Sequence, residues 1–241
     1  MPVGSTSGAG SNVSPAEKRK TLIALLLALG ILQTLYMNLA SFLPIFAEDE
    51  YKWVNESKIG LILAMFQVAY LIMAPIVGQN LQRFGRKNMI LAGYVICILA
   101  TIGFGVCANI TPKQEDKNGD NSGSKLFFGL SIAIRFFQGI GDSMVATSAY
   151  SIVSIEFPDQ REVYIGYCQT AVGLGLLMGP VIGTTIYGFA GYQNTFYILA
   201  GILTLSFLTA IFMLPSRINK YSNDKPNEVI LDQNPNTRPS I

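Results

Sequence analysis

Two ionisable side chains interrupt an otherwise apolar stretch near the middle of this sequence: Arg135 in RFFQGIG, and Asp142 directly after it. A cation and an acid seven residues apart fall on roughly one face of a helix, two turns from each other. Inside a membrane an arginine costs at least ~2.5 kcal/mol, so its head must face protein or water. A face carrying both groups would line a polar cavity able to pass a cation or a proton. The plainer alternative is an ion pair that only packs helices. Gln33, Asn38 and Gln67 are further polar groups within apolar stretches and are candidates for the same pathway. Tyr70, Gln169 and Tyr164 lie in or near such stretches too, where an interhelical hydrogen bond is the usual role.

The chemistry excluded is as informative. The chain has no histidine, which removes the usual metal ligand and the usual proton carrier near neutral pH. Its three cysteines, Cys97, Cys107 and Cys168, all fall in apolar runs and read as small packing residues. No metal or cofactor is expected. With no nucleophile–base pair and no phosphate loop, an enzyme is the least supported class. The net charge of +2, with no basic patch, does not suggest nucleic acid.

The elements that must position these groups are membrane helices. Half of the 241 residues are hydrophobic and only 13% are charged, against roughly 25% charged in a soluble domain. Six apolar runs reach the roughly 20 residues that a helix needs to cross a bilayer. They fall near 21–46, 58–79, 89–110, 126–153, 163–188 and 192–214. Residues 1–20 read as a disordered leader and 215–241 as a flexible tail, and Thr111–Lys125 as one solvated loop. That loop divides the runs three and three, a spacing that suits an inverted repeat. The expected fold class is therefore all-α: a polytopic membrane protein of six transmembrane helices.

Charge sets the orientation. With the amino terminus in the cytosol, 11 of the 17 cations are cytosolic, five are in outer loops, and Arg135 lies within a span. The outer loops also carry Glu48, Asp49, Glu50, Glu56, Glu115, Asp116 and Asp120. Both termini are thus expected in the cytosol. Asn55-Glu56-Ser57 is a glycosylation sequon on the outer side. Vesicular and plasma-membrane placement both fit.

Between the second and third runs lies GQNLQRFGRK, Gly78 to Lys87. Gly85 can take positive φ in a tight reversal. Arg83, Arg86 and Lys87 can hold the turn at the cytosolic face through helix-end carbonyls or lipid phosphate. This stretch resembles the signature loop of the major facilitator superfamily, G-x-L-x-D-R-x-G-R-K. Gly78, Arg83, Gly85, Arg86 and Lys87 match, whereas Asn80 and Gln82 stand where Leu and the acid are usual. Arg135, Gly139 and Gly141 resemble the family's R-x-x-x-G-x-G motif of span four. GLLMGPVIG, Gly175 to Gly183, resembles the span-five motif of its proton-coupled antiporters, G-x-x-x-G-P-x-x-G-G, with Thr184 at the last glycine. Gly175, Gly179 and Gly183 offer a smooth packing surface, and Pro180 should bend the helix.

FLPIF, EFPDQ and MLPSR fall where vesicular amine transporters carry similar segments, the polyamine-like branch being most similar. The resemblance covers about residues 22–217 and implies the amino-terminal half of a major facilitator fold. It implies a small-molecule substrate, a cationic amine or drug-like compound, moved by proton-coupled alternating access. The partners implied are protons, the lipid bilayer, and a second six-helix half or a second copy. Gln82 cannot make the charged contact the family's acid makes with the other half. The competing class is a truncated or half-size membrane scaffold that transports nothing.

Overall fold

The structure, a computed structural model, describes residues 14–50, 54–107, 109 and 122–222. All regular structure among them is helical. Five long helices follow one another: α1 (Pro15–Glu50), α2 (Glu56–Phe84), α3 (Arg86–Cys107), α4 (Ser122–Glu156) and α5 (Arg161–Met213). Short 3-10 turns cover Pro158–Gln160 and Ser216–Ser222. Four of the long helices, α1, α2, α3 and α5, are long and apolar enough to cross a membrane, by length and composition. Helix α4 is as long but carries Lys125, Arg135 and Asp142, so its polar groups depend on the helices around it.

Two reversals set the topology. Only Gly85 separates α2 from α3, with φ 84° and ψ 141°, and its N–H donates to the Leu81 carbonyl. That is left-handed space, open to glycine without steric cost. The second is Gly191, with φ 74° and ψ 175°, which breaks α5 into two arms. The apolar runs 163–188 and 192–214 occupy these arms on either side of the break. Backbone φ and ψ remain helical through Pro180, so the sharp change of direction in α5 falls at Gly191.

Glycines set the helix pairs. Helix α1 lies along the first arm of α5, with Gly175 against the Gly30 carbonyl and Gly179 against Thr34 and Met37. Helix α4 presses Gly139 onto Phe66 of α2 and Gly141 onto Gly93 and Cys97 of α3. Without a hydrophobic drive between helices in lipid, such close approach lets dispersion and polar contacts hold the bundle. The Tyr94 hydroxyl meets Ser206 Oγ at 2.7 Å and ties α3 to the second arm of α5. An aromatic cluster closes the end away from Gly85: Phe46 stacks on Tyr192 at 3.8 Å, and Phe42 packs edge-on to Phe196.

The chain ends of the bundle differ from the sequence expectation. The leader was expected to run to residue 20, but α1 starts at Pro15. Ser14 Oγ accepts from the Glu17 N–H at 3.2 Å, and proline suits the first helical position. Residues 1–13 lie outside the described residues. The tail was expected to be flexible from Pro215, but Ser216–Ser222 folds back onto the bundle. Ile218 is buried there, and Arg217 bonds both Glu17 at 2.9 Å and Glu156 at 2.6 Å. Residues 223–241 lie outside the described residues. So does most of the expected Thr111–Lys125 loop, whose last four residues already belong to α4.

Candidate functional site

The geometry starts from α4, whose central turns pack glycines on α2 and α3 and place Asp142 in a space shared with α1, α2 and α5. Asp142 is 6% exposed. It lines a cavity of about 240 Å³ with Gln33, Gln67, Tyr70, Tyr150 and Gln169. Leu29, Phe66, Ala146 and Val172 form its apolar walls. Among the described residues no hydrogen bond or ion pair engages the Asp142 carboxylate. One carboxylate, three carboxamides and two phenols around a small space can bind an ammonium group or exchange a proton. Cation–π contact with a tyrosine adds to the former. No group of three His, Cys, Asp or Glu side chains among the described residues is placed to hold a metal.

Of the five pathway candidates, the structure brings Asp142, Gln33 and Gln67 together and places the other two elsewhere. Asn38 is fully buried in the α1–α5 seam, packed on Gly179 and Gly183. Arg135 is also fully buried, but it does not line the cavity and forms no ion pair with Asp142. Its guanidinium donates to Gln138 Oε1 at 3.0 Å and to the Tyr36 carbonyl at 3.3 Å. It lies 5.5–5.9 Å from the ring centres of Phe66, Tyr36 and Phe104. Phe66 borders both groups: its ring centre lies 5.5 Å from the Arg135 guanidinium, and the residue also lines the Asp142 cavity. Seven-residue spacing gave the direction of each side chain and not its partners.

Sequence reasoning passed over Tyr150. It follows Asp142 by eight residues, as Ala146 does by four, so one helix face supplies all three. Tyr70 and Gln169 come from α2 and α5. Tyr164 stacks on Phe157 at 3.9 Å, away from the cavity.

The signature loop is built as a clasp. Lys87 Nζ donates to the carbonyls of Ile211 at 3.0 Å and Leu214 at 2.6 Å, closing the end of α5. Its backbone N–H donates to Asn219 Oδ1 at 2.8 Å, and the Asn219 side chain packs on Gly85. Arg86 is buried, with Nε donating to Ser151 Oγ of α4 at 2.8 Å. Gly78 faces Thr147 of α4. Gln82 and Arg83 are exposed. At the other end, Asn55 caps α2 by accepting from the Lys58 N–H at 3.2 Å.

Helices with these seams, this clasp and a mid-bundle carboxylate can be set beside known proteins. The family model for the Major Facilitator Superfamily matches residues 22–236. The chain belongs to the major facilitator superfamily. Among curated relatives, it is 27% identical over 215 residues to MFS-type transporter SLC18B1 of Mus musculus, covering 89% of this chain and 44% of that one. It is 27% identical to the synaptic vesicular amine transporter of Homo sapiens over 73% of this chain and 31% of that one. It is 28% identical to multidrug resistance protein 2 of Bacillus subtilis over 69% of this chain and 37% of that one. The chain spans less than half the length of the curated relatives it matches. Family membership and the apolar helices make it an integral membrane protein that resembles the vesicular amine family.

Proposed function

We propose that this chain forms a six-span transporter unit that moves a small organic cation, an amine or drug-like compound, in exchange for protons. The observation that carries the reading is Asp142: a buried carboxylate, without a partner among the described residues, facing a 240 Å³ cavity lined by tyrosines and carboxamides. The names of the relatives, amine and multidrug transporters, agree with a cationic solute. Counting the two arms of α5 separately with α4 and the others gives six spans, arranged three and three. The bias of Lys and Arg supports cytosolic termini. Gln67 is exposed near the middle of α2, and Gln169 is exposed two turns into α5. Lipid is a poor environment for them, so this face is covered by a second six-helix unit or by water. Alternating access then requires the two units to rock about the cavity. Arg135 supports the Phe66 wall, while the glycine seams keep this half rigid. Asn55 is the glycosylation candidate on the outer side.

The test is uptake of radiolabelled amines into proteoliposomes under an imposed pH gradient. Uptake is expected, falling at least tenfold in Asp142→Asn with membrane insertion retained. An inserted, folded chain that takes up no organic cation, alone or with a second unit, would remove the substrate assignment. Crosslinking and native mass belong to the same experiment. A strict monomer of 26.2 kDa that transports nothing would support the scaffold reading instead.

A further inference from the structure

The turn between α2 and α3 contains one cation that the fold leaves unspent. Arg86 is committed to Ser151 and Lys87 to two carbonyls of α5. Arg83 is exposed, and no hydrogen bond or ion pair holds it among the described residues. Its guanidinium stands 5.7 Å from the centre of the Phe84 ring.

Phe84, 55% exposed, forms the mouth of an apolar groove between α2 and the start of α3. The groove holds about 480 Å³, with Met73, Ile76, Met89, Ala92 and Met144 along it. That volume lies within the roughly 300–1,000 Å³ of small-ligand sites. Thioethers adapt to an irregular, flexible guest better than branched side chains do. The polar residues at the rim, Asn80 and Asn88, spend their N–H groups on the carbonyls of Ile76 at 2.8 Å and Phe84 at 3.1 Å. The groove is therefore an apolar slot, and beside it, over the Phe84 ring rather than in the lining, stands the exposed Arg83 guanidinium, with neutral Gln82 next to it where the signature pattern carries an acid.

We propose that this groove seats one acyl chain of an anionic glycerophospholipid, with the lipid phosphate held by Arg83. The slot accepts the chain, the guanidinium pairs with phosphate oxygens in a forked geometry, and the absence of an acid at residue 82 leaves that guanidinium uncontested. An anionic headgroup is preferred because the choline ammonium of a zwitterionic lipid competes with Arg83 for the phosphate. This binding is independent of the transport reading and of the Asp142 cavity.

The experiment is native mass spectrometry of the full chain in detergent with phosphatidylglycerol or phosphatidylcholine added at equal concentrations. One phosphatidylglycerol should be retained in preference to phosphatidylcholine. Arg83→Gln, an exposed change, should weaken phosphatidylglycerol retention about fivefold and leave phosphatidylcholine unchanged. Ala92→Phe, which fills the slot, should weaken both. Arg161→Gln, at an exposed cation that starts α5, should change neither. Equal retention of the two lipids, or equal effects of Arg83→Gln and Arg161→Gln, would overturn the proposal. So would a dimer that forms at the groove and expels the lipid.

Discussion

Replacing Arg217 by alanine should destabilise this bundle more than any other surface-located change at the same end. Arg217 is 22% exposed and bridges two acids of different character. Glu17 is 40% exposed, so its half of the bridge sits in solvent and is worth under ~1 kcal/mol. Glu156 is 2% exposed and receives Arg217 at 2.6 Å and 3.4 Å. Removing the arginine strands a buried carboxylate, which costs about 3–5 kcal/mol. Partial exposure of Arg217 places the expected loss near the lower bound, about 3 kcal/mol. Glu17→Ala should therefore cost less than a third of Arg217→Ala. The paired change Glu156→Leu with Arg217→Leu should recover most of the loss, because no unpaired buried charge remains and Glu17 is left in solvent. Lys18 would still hold α4 through the Glu156 backbone carbonyl at 3.1 Å. The assay is SDS-titration unfolding in mixed micelles, followed by circular dichroism. Equal losses for Glu17→Ala and Arg217→Ala, or a double variant worse than the single, would refute the reasoning from burial.

Two further changes test the seams and the clasp. A methyl group at Gly141 would lie 2.7 Å from both the Gly93 carbonyl oxygen and Cys97 Sγ, whereas at Gly129 of the same helix it would meet nothing within 4 Å. In the same unfolding assay Gly141→Ala should cost about 1–3 kcal/mol by overpacking, and Gly129→Ala should be neutral or gain up to ~1 kcal/mol from helix propensity. Lys87→Met removes two charge-assisted bonds at the end of α5 and should cost about 1.5–3 kcal/mol, read as faster amide exchange confined to the last turn of α5 and Ser216–Ser222.

Legibility was uneven for physical reasons. Apolar runs of bilayer length announce helices because lipid forces every backbone group to pair within its own segment. The ends are set by polar chemistry, which is local and easily overlooked. Ser14-Pro15-Ala16-Glu17 is a capping-box sequence with proline at the first helical position, and it marks the start of α1 plainly. It was read as part of a leader because composition outweighed spacing. MLPSR carries part of the family resemblance but gives no sign that the chain beyond it packs back, since the partners of Arg217 lie 61 and 200 residues away. At the site, Asp142 stood out because an acid in an apolar run is costly wherever it sits. Its separation from Arg135 is not legible: helix periodicity gives the azimuth of each side chain, while the partners that hold Arg135, the Tyr36 carbonyl and the Phe66 and Phe104 rings, come from other helices. Tyr150 was available from the i, i+4, i+8 face and was missed because tyrosine is common in membrane helices.

The contacts of Asn219 have a mechanical meaning. A single amide side chain rests on the one-residue hinge at Gly85 and accepts from the first turn of α3, while Lys87 beside it grips the last carbonyls of α5. Ser216–Ser222 is thus a handle fixed to the α2–α3 turn through Asn219 and to α1 and α4 through Arg217. Force applied to the chain beyond residue 222 would not peel off α5 alone. It would also load α1 and α4 through Arg217 and the start of α3 through Asn219.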